Sequence, residues 1–327
     1  MLTIGARLIP ALTAFFLLVA GSAPSVAQTD FPSRTVRLVV SFPAGSATDI
    51  IGRLLADRLS RTWRVSVVVE NVSGAAGQIG TSRVARAEPD GYTLIVSPPA
   101  QLVTHGTLYK NLSYDPTQLV PIALLAQVPY GFTVRKDPAF GTVQDFVASA
   151  KSHPGKLTYA TQGVGSTSHL TTKLFEKLAG IEMLHVTYRG SAPALNDLVA
   201  GTIDSMFDNI GNSLALHNEG RVQILAVADN ARAPSLPEVP TFSEVGFPDF
   251  RSITWFALAA PPKMSASLAS KINADVLDVL SQREVQEKLR QLELTPAGLN
   301  VSDTEAFLKE EATVWGKVIR DASVQGE

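Results

Sequence analysis

Two short segments, separated by 120 positions from Gly45 to Gly165, carry the residue types that hold a small anion. The first is Pro43-Ala44-Gly45-Ser46-Ala47-Thr48-Asp49, and the second is Gly163-Val164-Gly165-Ser166-Thr167-Ser168-His169. Glycine has no Cβ, so the backbone turns tightly and a ligand comes close. Serine and threonine hydroxyls cap a new helix or donate to a ligand. The first N–H groups of a helix have no intrahelical acceptor and favour an anion. Two such turns facing each other form a two-jawed site for a small anionic molecule.

Other chemistries find less support. The chain has no cysteine, which excludes disulfides, thiolate zinc sites and thiol nucleophiles. The histidines at 105, 153, 169, 185 and 217 are scattered with no His-Glu-x-x-His spacing, and Asp204 with Asp208 is too little for a metal. Gly74 to Gly80 lacks the Lys-Ser/Thr ending of a P-loop, and the Gly163 loop lacks the third glycine of a dinucleotide fingerprint. No Gly-x-Ser-x-Gly elbow is present. No cofactor and no metal are expected. A Ser/His/Asp set assembled in space stays open; Ser166 or Ser168 beside His169 is the local pair for an exported hydrolase of small esters or amides.

Positioning the two jaws requires strand-to-helix connections. Val36 to Phe42 and Leu157 to Thr161 have strand character and run into the two loops. After the first loop, Ile50, Ile51, Leu54, Leu55 and Leu59 share a helical face. Val65 to Val69 is a β-branched run suited to a strand buried on both sides. Gly74 to Gly80 opens a helix, Glu88-Pro89-Asp90-Gly91 is a turn, and Tyr92 to Ser97 is the next strand. The plan then repeats. Phe132 to Arg135 predicts a strand and Thr142 to Lys151 a helix. Leu170, Leu174, Phe175 and Leu178 mark a helix stopping at Gly180. Met183 to Tyr188, Ala192 to Ala200 and Gly220 to Ala228 predict strand, helix and strand. Pro234, Pro237, Pro240 and Pro248 mark a connecting segment. Beyond it come a strand over Ile253 to Ala259 and a helix carrying Leu268, Ile272 and Val276. Ser302-Asp303-Thr304-Glu305 has the form of a capping box before a last helix with Leu308, Ala312, Trp315 and Ile319 on one face. Alternating strands and helices predict an α/β fold with mostly parallel sheets.

Residues 1–27 have the layout of a secretory signal peptide: Arg7, an apolar core from Leu8 to Ala20, and Ser25-Val26-Ala27 before Gln28. The rival reading is a membrane anchor, but the apolar core falls short of the ~20 residues a spanning helix needs. Cleavage would leave 300 of the 327 residues, enough for two domains or one large one. It would also remove one positive charge from a chain whose net charge is −2. So weak a balance gives no nucleic-acid footprint. Local N–H groups, not a general positive field, must hold an anion.

Several segments together resemble one family, the periplasmic solute-binding proteins of tripartite tricarboxylate transporters (the Bug receptors). They are the first loop, Ala87-Glu88-Pro89-Asp90-Gly91-Tyr92-Thr93, Leu108-Tyr109-Lys110, Tyr114-Asp115-Pro116, the second loop, Val186 to Leu195, Met206-Phe207-Asp208 and Trp315-Gly316-Lys317. The resemblance covers essentially the whole mature chain. It implies a periplasmic, type II-like two-lobed binding protein of the Venus flytrap kind, with helices on both faces of its sheets. The implied lobes are residues 28–130 with 250–327, and 131–249, with the ligand in the cleft between them. It also implies a small carboxylate ligand held by backbone N–H groups, hydroxyls and ordered water. The implied partners are integral membrane transporter subunits; a membrane sensor kinase is the alternative. The receptor itself is expected to be a monomer without enzymatic activity.

Carried over position by position, the first jaw is Phe42, Ala44, Gly45, Ser46, Thr48 and Asp49, and the second is Gly165, Ser166, Thr167, Ser168 and His169. Ser97, Arg189, Gly190, Ser191 and Asp208 are the expected walls. Ser46 stands where family members often carry a second glycine, and Ser97-Pro98-Pro99 departs from the usual strand end. Each has a structural alternative. Asp49 can serve its helix N-terminus by charge alone. His169 can cap its own helix, Asp208 can bond the neighbouring loop, and Arg189 can be a solvated loop residue. Tyr188 and Trp255 are expected in the core.

Overall fold

The computed structural model describes residues 31–322 and 324; the expected signal peptide lies outside them. In the first lobe, β1 (Val36–Val40) pairs in parallel with β2 (Val67–Asn71) and β3 (Thr93–Ser97). Apart from the exposed Arg37, its residues are apolar in both directions because both faces are covered. Leu38 enters one core with Leu94 and Ile272, while Val39 enters the opposite one with Ile95 and Trp255. Helix α1 (Ala47–Trp63) buries Ile51, Leu55, Leu59 and Trp63 at helical spacing. Helix α2 (Gln78–Ala85) precedes β3. After β3 the chain makes a π-helical turn, Ala100–Thr104, and a short helix α3 (His105–Leu108).

The 16-residue strand β4 (Val120–Arg135) then leaves one sheet and enters another. The second lobe contains α4 (Val143–Ser152), β5 (Thr158–Thr161), α5 (Thr167–Ala179), β6 (Leu184–Thr187), α6 (Ser191–Val199), β7 (Ser205–Asn209), α7 (Ile210–Asn218) and β8 (Val222–Val227). Strand β5 is parallel to β6 and β7, while β7 and β8 run antiparallel to β4. This lobe packs around phenylalanines: Phe132 stacks on Phe207 with centroids 4.7 Å apart, and Phe242 lies 4.3 Å from Phe250. The chain returns through β9 (Ile253–Ala260), α8 (Ala266–Ser281), α9 (Arg283–Gln291), β10 (Thr295–Pro296) and α10 (Val301–Asp321). The strand order is β2-β1-β3-β9-β4 in the first sheet and β4-β7-β5-β6 in the second. The Trp63 indole donates to Asp275 at 2.7 Å and fastens α1 to α8.

Three backbone segments cross between the lobes at one level. From Val120 to Pro129, β4 pairs with β9; from Tyr130 onward it pairs with β7 and β8. Tyr130 N–H donates to Ser252 O at 3.1 Å, Ala228 N–H to Tyr130 O at 2.8 Å, and Ser252 N–H to Ala228 O at 3.0 Å.

Three local readings change. The run from Val65 to Val69, expected to be buried on both sides, forms the edge strand β2 with Val68 exposed. The strand expected from Phe132 is only the tail of β4. Pro121 and Pro129 break the pattern, and Ile122 to Ala126 is buried without polar alternation. The last helix is capped by Asn300, whose Oδ1 accepts the Asp303 N–H at 2.9 Å, and not by Ser302, which lies inside the helix.

Candidate ligand-binding cleft

The two expected jaws are near-copies in space as well as in sequence. Ser46 and Ser166 are N-caps with extended backbones, φ −70° and −63°, and each Oγ accepts the N–H three residues on at 3.3 Å. The preceding glycines have φ +82° and +76°. Each glycine N–H donates to the side chain four residues ahead: Gly45 to Asp49 Oδ2 at 2.9 Å, Gly165 to His169 Nδ1 at 3.2 Å. In both helices the first two amides, of Ala47 and Thr48 and of Thr167 and Ser168, have no intrahelical acceptor by position.

Both jaws open on one cleft of about 510 Å³. The first lobe contributes Phe42, Ala44, Gly45, Ser46, Thr48, Pro98, Thr254 and Phe256. The second contributes Gln162, Ser166, Thr167, Arg189, Gly190, Ser191, Asp208, Asn209 and Asn212, and Tyr130 lies on the crossing strand. Helices α6 and α7 also start at this cleft, from Gly190 and Asn209, without a side-chain cap bond. Four positive helix ends therefore meet one cavity, which favours a negative ligand. Arg189, exposed at the rim, adds a full positive charge.

Five expected contacts do not line the cleft, and each has another task. Asp49 is buried and binds Gly45 N–H, Arg53 Nε at 2.9 Å and Asn71 Nδ2 at 2.8 Å. Burial opposes its charge, but Arg53, Gly45 and Asn71 more than offset this and lower its pKa. Gly165 spends its N–H on His169. Ser168 Oγ is hydrogen-bonded to Gln162 Oε1 and to Ser166 Oγ. The His169 ring stacks on His185 with centroids 4.4 Å apart, and burial, with the charges of His185 and Lys173, pulls its pKa down to about 3. The neutral ring is what allows Nδ1 to accept from Gly165. Ser97 Oγ donates to Gln101 Oε1 at 2.8 Å. The second-jaw serine hydroxyls bond Gly163 O, Gln162 Oε1 and each other, while His169 Nδ1 accepts from Gly165.

Asp208 does line the cleft, but its carboxylate is already occupied. Gln162 Nε2 donates to Oδ1 at 3.2 Å and Asn212 Nδ2 to Oδ2 at 3.0 Å, and Ser191 and the Asn209 amide add further bonds. Burial nonetheless pushes its pKa up to about 6. Asp208 thus orients Gln162, Ser191 and Asn212 along the second-lobe wall. Gln162, Asn212, Tyr130 and Thr254 were missed by the sequence reading. Gln162 directly precedes the second loop and was within reach of it. Asn212 sits on α7, which buries only Ile210 and Ser213 and so shows no apolar stripe. Tyr130 lies at the crossing, just before the recognised part of β4. Burial, the Asp208 charge and hydrogen bonds to Thr167 and Thr254 surround its hydroxyl.

A cleft at the crossing of two α/β lobes, with helix starts on both sides, defines the periplasmic binding-protein class. The chain belongs to the tripartite tricarboxylate transporter receptor family, whose description matches residues 51–324. It is 36% identical to the UPF0065 protein in the tcbD-tcbE intergenic region of Pseudomonas sp. strain P51, over 88% of this chain and 86% of that one. It is similar to the solved structure of R. palustris Rpa4515 with adipate: TM-score 0.86, 35% identity, 90% of this chain and 99% of that chain covered. The periplasmic binding protein BugD is also similar, with TM-score 0.84, 32% identity, and 91% and 100% covered.

Proposed function

We propose that this protein is an extracytoplasmic solute receptor that takes one small organic acid into the cleft and delivers it to a membrane transporter. The observation that carries this reading is the pair of matching Gly-Ser helix starts opening on one cavity. The carboxylate accepts from the Ala47, Thr48 and Thr167 amides, with the Ser46, Thr48, Ser166 and Thr167 hydroxyls around it. Phe42, Pro98 and Phe256 give the carbon chain an apolar wall. The adipate held by Rpa4515 supports an acid of this size. Residues 28–130 with 250–327 move as one lobe and 131–249 as the other, hinged at Tyr130, Ala228 and Ser252. Charge-assisted bonds gain strength as closure removes water from around them. The chain acts as a monomer in the periplasm once residues 1–27 are removed.

A thermal-shift panel of four- to eight-carbon mono- and dicarboxylates, adipate included, tests the reading. A ligand at 100 times its Kd adds about 2.7 kcal/mol, a rise of several degrees in Tm. The uncharged methyl esters of the same acids are expected to give no shift. A panel in which no acid stabilises the protein, or in which esters match their acids, overturns it.

A further inference from the structure

The turn of the second jaw is gripped from outside the cleft by the first lobe. Thr104 Oγ1 donates to the Gly165 carbonyl at 3.2 Å, and the Tyr109 hydroxyl donates to the Val164 carbonyl at 3.2 Å. Leu108 lies so close that a Cβ on Gly165 would stand 1.9 Å from its Cδ2. A Cβ on Gly163 would meet Ala76 Cβ at 3.6 Å. Thr104, Leu108 and Tyr109 do not line the cavity, so these contacts do not require an occupant.

The first lobe supports this grip with strained backbone. Gly74, Ala75, Ala76 and Gly77 all have positive φ, at +127°, +46°, +50° and +89°. Two consecutive alanines in the left-handed region persist only where the surroundings over-determine them. Gln101 supplies that constraint: its Nε2 donates to the Ala76 carbonyl while its Oε1 accepts from Ser97. Gln101 lies in the π-helical turn that leads to Thr104, and such turns concentrate at functional positions. Ser97 therefore acts at one remove, through Gln101, on the surface that meets the second jaw.

We propose that Thr104, Leu108 and Tyr109, braced by Gln101, are positioning residues that hold the second jaw in its binding geometry. They make part of lobe closure independent of ligand. The free receptor then spends part of its time closed, and its apparent affinity for every ligand scales with that closed fraction. The inference rests on the receptor reading above, but the free protein alone can test it.

The variants are Thr104→Val, nearly isosteric, and Leu108→Ala. Small-angle scattering of the ligand-free protein should show a larger radius of gyration for both. Amide exchange at Val164 to Ser166 should accelerate tenfold or more, while exchange in β1 stays unchanged. Each acid that binds the wild type should bind about tenfold more weakly, by one common factor, with the loss mainly in the off-rate. A purely structural lesion would lower Tm without a common factor or localised exchange. Unchanged compactness and unchanged exchange in Thr104→Val overturn the clamp. If the wild type binds no acid and the variants still loosen the turn, the receptor reading fails and the clamp stands.

Discussion

Gly165→Ala raises the Kd for the bound acid about a hundredfold, while the matching change in the first jaw, Gly45→Ala, raises it only about fivefold. Both glycines have left-handed φ, so alanine costs about 1 kcal/mol at either site. Their surroundings differ. A Cβ on Gly45 meets nothing within 4 Å, whereas one on Gly165 collides with Leu108. Overpacking of that kind adds about 2 kcal/mol, and ~3 kcal/mol in total is about two decades in Kd. Calorimetric titration of both variants checks the comparison. Combining Gly165→Ala with Leu108→Ala should recover part of the loss, because the smaller side chain makes room. Equal losses at the two glycines, or no recovery in the double variant, would show that the collision is not what matters.

Asp208 gives the second large effect, one that depends on pH. Its pKa in the folded protein is about 6, above the ordinary 3.8. Between those values the folded state holds a proton that the unfolded state has lost. Its contribution to stability is therefore complete below pH 3.8 and disappears as pH rises through 6. Charging it at neutral pH costs on the order of 3 kcal/mol. His105, His169 and His185, with pKa values lowered by burial to about 4, 3 and 4, act on stability in the opposite direction. The difference between wild type and Asp208→Asn at each pH isolates the aspartate. An ionised Asp208 also repels a carboxylate in the same cavity by roughly 1–2 kcal/mol at an effective dielectric near 20. The wild type should bind its acid about tenfold more tightly at pH 5.5 than at pH 7.5, and Asp208→Asn should remove most of that slope. A slope that survives the substitution assigns the titration to another group.

Both jaws were legible because their signal is local. Glycine, serine and a helix start within a few residues specify the turn, the cap and the free amides together. The α1 and α5 stripes and the strands feeding them were legible for the same reason. What each polar side chain does at the jaws was less so. Asp49 and His169 have the right types and spacing to touch a ligand, and the same types and spacing let each accept its glycine's N–H. Tertiary burial decides between those uses, and short-range pattern does not record it. The first ten residues of β4 lack alternation because both faces are covered, and α7 lacks a stripe because little of it is buried. The clamp on Gly165 joins residues from two lobes, and only the folded chain brings them together.

The most direct test follows backbone amide proton shifts by TROSY NMR while adipate, or the strongest acid from the thermal panel, is titrated into the labelled protein. The Ala47, Thr48 and Thr167 protons should move downfield together, with one shared Kd. A tight acid that leaves these three amides where they were, and shifts only the surroundings of Arg189 or another side-chain cation, would contradict a carboxylate held between two helix starts.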